Sequence, residues 1–260
     1  IFNLDKLGYA SNTKNIKNVI EKKDKSLNHR YKLLKIDLSN QKHTTDALKV
    51  ADPDFIMHLA AESHVDRSII YPDSFIKSNI LGTFNLLNSA REHYESLPIK
   101  RKLNFKFLHI STDEVYGSLS STGSFSEKTP YDPRSPYSAS KASSDHLVRT
   151  WYHTYKFPIV ITNCSNNFGP YQYQEKLIPK TIINALNLEP IPIYGDGKNI
   201  RDWLYVEDHA DALLLALQKG ALGRSYNIAG SNERTNLELV RMLCDNLACQ
   251  NVRVFRDSRE

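Results

Sequence analysis

Short apolar runs alternate with longer helical segments along the chain, and this alternation limits the fold more than any other feature. The run at residues 105–110 is apolar and short, which is typical of a buried strand. Strands that alternate with helices predict an α/β fold with a mainly parallel, doubly wound sheet. The predicted strands of the first part are 1–4, 31–36, 55–59, 105–110 and 159–163, and the predicted helices are 13–25, 44–50, 73–95 and 137–156.

The pattern changes after residue 165, where the elements become shorter. Predicted helices at 175–187, 206–219 and 236–247 are interleaved with predicted strands at 191–194 and 225–228. We therefore predict a first domain at residues 1–165 and a smaller, interleaved lobe at residues 166–260. The chain opens inside an apolar strand at Ile1 and stops at 256–260 without a helix signal or closing strand, so both ends are expected to be truncated.

Composition and charge narrow the class of protein. The chain has 260 residues, 40% of them hydrophobic, which is ordinary for a protein with a substantial core. The net charge is +5, but the early lysines of residues 14–25 are mixed with acids and favour a solvated face over a nucleic-acid site. No apolar run approaches the ~18 residues that span a membrane, and no signal peptide is visible. Cys164, Cys244 and Cys249 lack metal-ligand spacing, so we expect reduced thiols, no metal and a cytoplasmic location.

Two short stretches carry the candidate chemistry. The stretch Ser111–Gly117, which contains Thr112, Asp113 and Glu114, follows the strand 105–110. Open α/β sheets bind ligands there, outside the carboxyl ends of their strands. Tyr137 and Lys141 are four residues apart on a predicted helix, so they project from one face. The ammonium can stabilise a phenolate and lower a tyrosine pKa that is ordinarily near 10. A hydroxyl, an acid pair and a Tyr–Lys pair together suggest carbohydrate redox chemistry.

Other strand ends suggest a dinucleotide. Asp5 follows the first strand, where a carboxylate accepts hydrogen bonds from the adenosine ribose and repels a 2′-phosphate, which favours NAD over NADP. Asp37 and Leu38 follow the second strand. Ala60 and Ala61 follow the third strand and are small enough to let a cofactor approach the backbone. The Gly-rich loop that should come before these strands is absent from the sequence.

Several residues allow competing interpretations. Ser63, His64 and Asp66 suggest a hydrolase triad, but no nucleophile elbow frames the serine and their spacing does not build a relay. Asn79, within the helix 73–95, either faces a cofactor or is a solvated or capping residue. The amide-rich turn after residue 163 favours ligand contacts over a plain loop. Arg201 either pairs with neighbouring Asp202 at the surface or clamps a diphosphate.

The motifs together resemble the extended short-chain dehydrogenase/reductases that act on nucleotide sugars, over nearly the whole chain. The resemblance is strongest to the 4,6-dehydratase branch, because Asp113 and Glu114 directly follow Thr112. The 4-epimerases of the family lack this acid pair, and the GDP-mannose dehydratases and UDP-glucuronate decarboxylases typically have Ser-Glu there. The motifs are residues 5–10, 59–68, 111–117, 137–141, 163–171 and 175–179.

The resemblance implies a Rossmann-type fold, NAD as cofactor, dTDP-glucose as substrate and a homodimer formed through the helix 73–95 and the helix after Tyr137. It implies that Tyr137, Lys141 and Thr112 assist the oxidation of the sugar C4 by NAD. It also implies that Glu114 takes the C5 proton and that protonated Asp113 donates to the leaving C6 hydroxyl. The implied cofactor contacts are Asp5, Lys6, Leu7, Asp37, Leu38, Leu59, Ala60, Ala61, Ser63, Ser78, Tyr137, Lys141 and Asn167. The implied substrate contacts are Ser63, Thr112, Asn166, Lys176, Leu177, Pro192, Tyr194, Arg201 and Asn236.

The sequence also departs from the family pattern. The first strand with its Gly-rich loop is missing, as is the Arg-Pro-Gly-His-Asp segment that should follow residues 255–257. Two alternatives therefore stay open beside the dehydratase: a sister enzyme such as an epimerase, decarboxylase, reductase or other 4,6-dehydratase, and an NAD-binding protein with a relic site.

Overall fold

The computed structural model describes residues 1–23, 29–119, 123–247 and 254–257. The strands are β1 (Phe2–Asp5), β2 (Lys32–Lys35), β3 (Phe55–His58), β4 (Lys106–Thr112), β5 (Ile159–Cys164), β6 (Asn166–Phe168), β7 (Ile191–Tyr194), β8 (Ile200–Tyr205), β9 (Ser225–Ile228), β10 (Glu233–Thr235) and β11 (Val254–Asp257). The helices are α1 (Thr13–Lys23), α2 (Gln41–Ala51), α3 (Val65–Ile70), α4 (Pro72–Phe75), α5 (Gly82–Ser96), α6 (Ile99–Lys102), α7 (Pro136–Tyr155), α8 (Leu177–Leu186), α9 (Val206–Lys219) and α10 (Asn236–Asn246).

The chain forms two compact units. The first comprises Ile1–Asn163 and Leu213–Asn227, and the second comprises Cys164–Ala212 and Ile228–Glu260. The sequence placed one boundary at 165/166, whereas the structure returns the segment 213–227 to the first unit. This segment is held at the edge of β5, because the Ile161 N–H donates to the Arg224 carbonyl at 3.0 Å and the Gly223 N–H to the Ile159 carbonyl at 2.8 Å.

The first unit contains two sheets. β1 and β2 run parallel, with Phe2 opposite Lys32 and Asp5 opposite Lys35. The larger sheet has the order β3-β4-β5-β9, and β3 runs parallel to β4. These parallel strands with intervening helices confirm the predicted Rossmann-type α/β fold.

Helices α5 and α7 cover the larger sheet with an apolar core. Leu87 on α5, Val148 on α7, Phe107 on β4 and Ile161 on β5 are completely buried. Burying each such side chain stabilises the fold by ~1.5–3 kcal/mol. The core therefore fixes the strand ends from which the candidate site residues project.

The predicted helix 73–95 is wrong in one respect, because a π-helical segment, Ile76–Leu81, separates α4 from α5. The carbonyl of Asn79 accepts hydrogen bonds from the hydroxyls of Thr83 and Ser144, both at 2.6 Å. These hydroxyls take the place of the ordinary α-helical donor, which accounts for the local widening of the helix.

The second unit contains two small sheets, of order β10-β8-β6 and β11-β7. Its core joins α8, β7 and α10 through Ala185, Ile191, Ile193 and Val240. The expectation of no closing strand near the end of the chain is wrong, since β11 pairs in parallel with β7. The sequence signal is weak because four residues give no visible periodicity.

Some sequence predictions fall on residues outside the described part. The predicted helix 13–25 is observed as α1 over Thr13–Lys23, and residues 24–28, which include Lys25, are not described. Cys249 also lies outside the described residues. In the described segments, no helix is both long and apolar enough to cross a bilayer, and no cluster of three metal-ligating side chains occurs.

Candidate active site

The first candidate site is built where β4 ends. Thr112 is its last residue, and Asp113–Tyr116 continue as a short 3₁₀ helix for which Thr112 is the N-cap. The Thr112 hydroxyl accepts a hydrogen bond from the Glu114 N–H at 3.3 Å and lies 3.3 Å from an Asp113 carboxylate oxygen. Thr112 is buried, and the two acids are half-buried. The acid pair is thus held at the strand end as predicted.

A loop after Gly117 leads back to the start of α7. Gly117 has φ 87°, and a side chain there would collide with the carbonyl of Asp132. The Asp132 N–H donates to the Val115 carbonyl at 2.9 Å, which ties the loop to the 3₁₀ helix. α7 then begins with a capping box between Ser135 and Ser138, with Pro136 in the first turn. These contacts fix the start of the helix that carries Tyr137.

Tyr137 and Lys141 lie on α7, one turn apart, and both are buried. The Lys141 ammonium donates to the carbonyl of Ile110 on β4 at 2.8 Å. The Tyr137 ring packs edge-on against Phe75 with centroids 6.2 Å apart. α7 therefore holds the Tyr–Lys pair against the same strand that ends at Thr112.

A cavity of about 200 Å³ lies at the ends of β1, β2 and β3 in the first unit. The alanine methyl groups leave it open next to the backbone, and the carboxylates of Asp5, Asp37 and Glu62 line it. A carboxylate at such a strand end hydrogen-bonds the ribose of a bound dinucleotide. NAD therefore fits the residues present. The predicted cofactor contacts that line the cavity are Asp5, Lys6, Asp37, Leu38, Leu59, Ala60, Ala61 and Ser78.

The carboxylates of this cavity are held ready to accept ribose hydroxyls. Asp5 accepts from the Leu7 N–H at 2.6 Å and from the Ser11 hydroxyl at 3.2 Å. Burial acts to raise the pKa of Asp37, but hydrogen bonds from Ser39 and the charge of Lys6 outweigh it, so the pKa lies below its usual value. Asp37 is therefore ionised at neutral pH.

Lys6 joins two sides of the same cavity. Its ammonium donates to Glu62 at 2.5 Å and to the Ser78 hydroxyl at 2.8 Å. Asn79 holds the backbone of Glu62, accepting from its N–H at 2.8 Å and donating to its carbonyl at 2.9 Å. Asn79 is 1% exposed, so it is neither a solvated nor a capping residue.

Other predicted cofactor contacts lie outside the lining of this cavity. Leu7 and Ser63 are next to lining residues in the chain, whereas Tyr137 and Lys141 belong to α7. Asn167 belongs to the second unit, where its amide oxygen accepts from His209 Nδ1 at 2.7 Å and its amide nitrogen donates to the Ser165 carbonyl at 3.1 Å. Within the first unit, the structure does not place Leu7, Ser63, Tyr137 or Lys141 in the lining of the cavity.

The predicted sugar-nucleotide contacts are divided between the units. Ser63 and Thr112 belong to the first unit and all the others to the second. Asn166 lies on β6 beside β8. Lys176 and Leu177 form the start of α8, and Pro192 and Tyr194 lie on β7.

Arg201 and Asn236 lie on paired and adjoining elements of the second unit. Ile200 on β8 pairs with Thr235 on β10, and Asn236 follows Thr235 directly as the first residue of α10. Arg201 is exposed and donates to the Ile200 carbonyl at 2.9 Å. Asp202 instead accepts from the N–H groups of Gly230 and Asn232, both at 2.6 Å. The surface pairing of Arg201 with Asp202 is therefore not what the structure shows.

Sequence reasoning missed two carboxylates that the structure places close to the candidate sites. Glu62 lines the cofactor cavity, and its signal was a position just after the paired alanines. Asp145 is completely buried on α7, and its signal was a spacing of four residues from Lys141. The suspected triad histidine, His64, instead accepts from the Arg67 N–H as the N-cap of α3.

A parallel α/β unit with a cavity at its strand ends and a Tyr–Lys pair on the adjoining helix defines a nucleotide-dependent dehydrogenase/reductase of the extended short-chain class. The profile of the family described as GDP-mannose 4,6 dehydratase matches residues 1–260. A dTDP-glucose 4,6-dehydratase of Neisseria gonorrhoeae is 50% identical over 245 residues, which cover 94% of this chain and 69% of that protein. The chain belongs to the dTDP-glucose 4,6-dehydratase family.

Solved structures agree with this assignment. The dTDP-glucose 4,6-dehydratase of Bacillus anthracis in complex with NAD matches with a TM-score of 0.85 and 40% identity, covering 100% of this chain and 76% of that one. The dTDP-glucose 4,6-dehydratase of Streptomyces venezuelae, also solved with NAD, matches with a TM-score of 0.89 and 38% identity, covering 100% of this chain and 75% of that one.

Proposed function

We infer that this chain is an NAD-dependent hydro-lyase that converts dTDP-glucose to dTDP-4-keto-6-deoxyglucose. The observation that carries this conclusion is the acid pair, Asp113 and Glu114, placed directly after Thr112 at the end of β4. Family membership at 50% identity to named dehydratases supports the same reaction and the same substrate.

We propose that Tyr137 starts the reaction by accepting the proton of the sugar O4. Lys141, one turn along α7, favours the phenolate by its charge. Thr112 donates a hydrogen bond to the same oxygen and so aligns it with Tyr137. Asp5, Asp37 and the other residues of the cavity would hold NAD, which when bound would supply the hydride acceptor for C4 and the hydride donor for C6.

The acid pair performs the dehydration in this proposal. Once C4 is a ketone, the C5 proton is acidic and Glu114 removes it as the general base. Asp113 carries a proton and delivers it to the C6 hydroxyl, which leaves as water. Two neighbouring carboxyl groups favour this division, because holding both negative charges side by side is costly.

The second unit supplies the nucleotide-binding residues of this proposal. Arg201 is exposed and its planar fork suits a diphosphate. Lys176 at the start of α8 adds positive charge, and Asn166 and Asn236 offer amides. Arg201 is exposed, and Asn166, Lys176 and Asn236 are half-buried, so each keeps surface that a ligand could contact.

Incubation of the protein with dTDP-glucose and catalytic NAD tests the proposed function. We expect a 4-keto-6-deoxy product and no net reduction of NAD, because the hydride that leaves C4 returns to C6. Formation of a C4 epimer as the sole product would assign the chain to a sister enzyme instead. Tight NAD binding without turnover of any sugar nucleotide would indicate a relic site.

Replacing Asp5 with alanine is expected to raise the Kd for NAD by about 10- to 150-fold, since a hydrogen bond to a charged group is worth ~1.5–3 kcal/mol. The same change should narrow the preference for NAD over NADP, because the carboxylate that repels a 2′-phosphate is gone. Fluorescence titration with both dinucleotides measures both effects. Asp46→Ala, at an exposed carboxylate on α2, is the control, and equal losses in the two variants would count against this role for Asp5.

We also propose that the chain forms a homodimer through the helical segment 73–95 and α7. Ile76, Leu81 and Phe84 expose between 38% and 50% of their surface along one helix. Tyr155, at the end of the adjoining α7, is 45% exposed. These exposed apolar side chains support the proposed interface, since exposed apolar surface marks many protein–protein contacts.

Phe84→Glu is expected to convert the dimer to a monomer, because the substitution places a charge within the apolar surface. Analytical ultracentrifugation measures the change in mass. Leu103→Glu is the matched control, since Leu103 is 81% exposed and follows α6. A wild-type protein that sediments as a monomer at micromolar concentration would reject the dimer.

A further inference from the structure

Behind the Tyr–Lys pair lies a completely buried carboxylate that the proposed reaction does not use. Asp145 accepts hydrogen bonds from His109 at 3.0 Å, from Ser111 at 2.9 Å and from the Tyr131 hydroxyl at 2.8 Å. The amide of Asn163 lies 3.4 Å from the same carboxylate. A buried charge is tolerated only where hydrogen-bond donors surround it. Here β4, β5 and the loop before α7 supply the donors, and α7 carries the carboxylate.

The protonation states of this cluster are consistent with a single buried negative charge. Burial acts to raise the pKa of Asp145, but the hydrogen bond from His109 and nearby positive charge outweigh it, so the pKa lies below its usual value. Burial, together with the charge of Lys141, lowers the pKa of His109. Asp145 is therefore ionised and His109 neutral, with its Nε2–H directed at the carboxylate.

This carboxylate reaches both halves of the candidate active site. Asp145 lies one turn beyond Lys141 on α7, so the two side chains share a helical face. Ser111, which it holds, immediately precedes Thr112. Asn163 donates to the Thr112 carbonyl at 3.1 Å as well as approaching Asp145. A single group thus contacts the segments that carry Thr112 and the Tyr–Lys pair.

We propose that Asp145 is a positioning residue that keeps Lys141 charged and holds the end of β4, and with it Thr112, in register with Tyr137. The proposal rests on the proposed function of the Tyr–Lys pair. Asp145 itself does not touch the sugar in this scheme. It acts through its charge on Lys141 and through its hydrogen bond to Ser111.

Asp145→Asn removes the negative charge of the side chain and keeps its shape. The hydroxyls of Ser111 and Tyr131 can still donate to the amide oxygen, and His109 can accept from the amide nitrogen by changing tautomer. With the negative charge gone, the pKa of Lys141 should fall, since an opposite charge nearby raises a lysine pKa by about one unit or more. Lys141 then loses its proton at a lower pH than in the wild-type protein. Above that pH, Tyr137 no longer has a positive charge beside it to favour the phenolate.

The experiment measures the pH dependence of kcat and KM for dTDP-glucose with the holoenzyme. We expect the alkaline limb of kcat to move down by about one pH unit in Asp145→Asn, with KM changed less than about twofold. The other titratable groups that interact with Lys141 are His58 on β3 and His109 on β4, and Tyr131, to which Arg149 donates, faces Asp145 itself. All are retained in the variant. His109 loses a neighbour that raises its pKa, so it stays neutral and does not produce an alkaline limb.

A second variant tests the hydrogen bond by which Asp145 holds the end of β4. It also keeps the proposal testable if Asp145→Asn does not fold. Ser111→Ala removes one donor and should lower kcat about tenfold with KM unchanged, because Thr112 loses its alignment. Ser89→Ala is the matched control: its hydroxyl is buried and bonds Gln41 and Thr45 between α5 and α2. We expect that change to lower the melting temperature while leaving the pH profile unaltered.

An alkaline limb that stays in place in folded Asp145→Asn would overturn the proposal. If Asp145→Asn does not fold, wild-type kinetics in Ser111→Ala would overturn it, and a reduced kcat with an unchanged KM would support it. These outcomes are distinct from failure of the proposed function, which would appear as no turnover of dTDP-glucose by the wild-type protein.

Discussion

Replacing Tyr137 with phenylalanine is expected to lower kcat for dTDP-glucose roughly 10²–10⁴-fold, the range typical of losing a general acid–base group. The substitution removes only the hydroxyl, so the edge-on packing of the ring against Phe75 is retained. The first step fails because no group remains to accept the O4 proton while the hydride leaves C4. The affinity for NAD should change little, since the cavity lined by Asp5 and Asp37 is untouched.

Rapid mixing of excess NAD-loaded protein with dTDP-glucose, under single-turnover conditions, measures this effect directly, because reduced nicotinamide is formed only if C4 is oxidised. Tyr116→Phe is the matched control. Tyr116 is also buried, its hydroxyl lies 2.8 Å from Asn227, and burial raises its pKa to about 12, which suits a structural hydroxyl. Wild-type rates of C4 oxidation in Tyr137→Phe would remove this residue from the mechanism.

The acid pair should fail at a later step. Asp113→Asn and Glu114→Gln are each expected to lower formation of the 4-keto-6-deoxy product by roughly 10²–10⁴-fold, while oxidation at C4 continues. Asn cannot deliver a proton to the leaving C6 hydroxyl, and Gln cannot accept the C5 proton. Reduced cofactor should therefore accumulate in both variants, whereas it does not accumulate in the wild-type protein.

Absorbance of reduced cofactor and mass analysis of the sugar distinguish these outcomes. Deuterium exchange at C5 separates the two roles, because Asp113→Asn retains the base and should still exchange, while Glu114→Gln should not. Asp132→Asn is the control. Asp132 is an exposed carboxylate in the loop after Gly117, where it pairs with Arg134. A dehydratase-like rate in Asp113→Asn would instead favour a sister enzyme that has no need of a proton donor at this position.

The sequence alone determined the fold class and most of the candidate residues. Long, periodic or apolar segments predicted their own structure, and α9 and β9 have the predicted bounds. Thr112, Asp113, Glu114, Tyr137 and Lys141 were found for the same reason, since each lies at a strand end or one helical turn from its partner. Local spacing is sufficient for such positions because the period of a helix or strand fixes which side chains share a face.

Only the tertiary structure decided the features that depend on contacts distant in sequence. The π-helical segment arises because Ser144 on α7 and Thr83 both bond the Asn79 carbonyl, and no local pattern indicates this. Asp145 reads in the sequence as one more polar residue on α7. Its burial and its contacts with His109 and Ser111 follow from β4 packing against α7 more than 30 residues away. Such pairings are set by the packing of the whole unit, and a single sequence records neither partner's position.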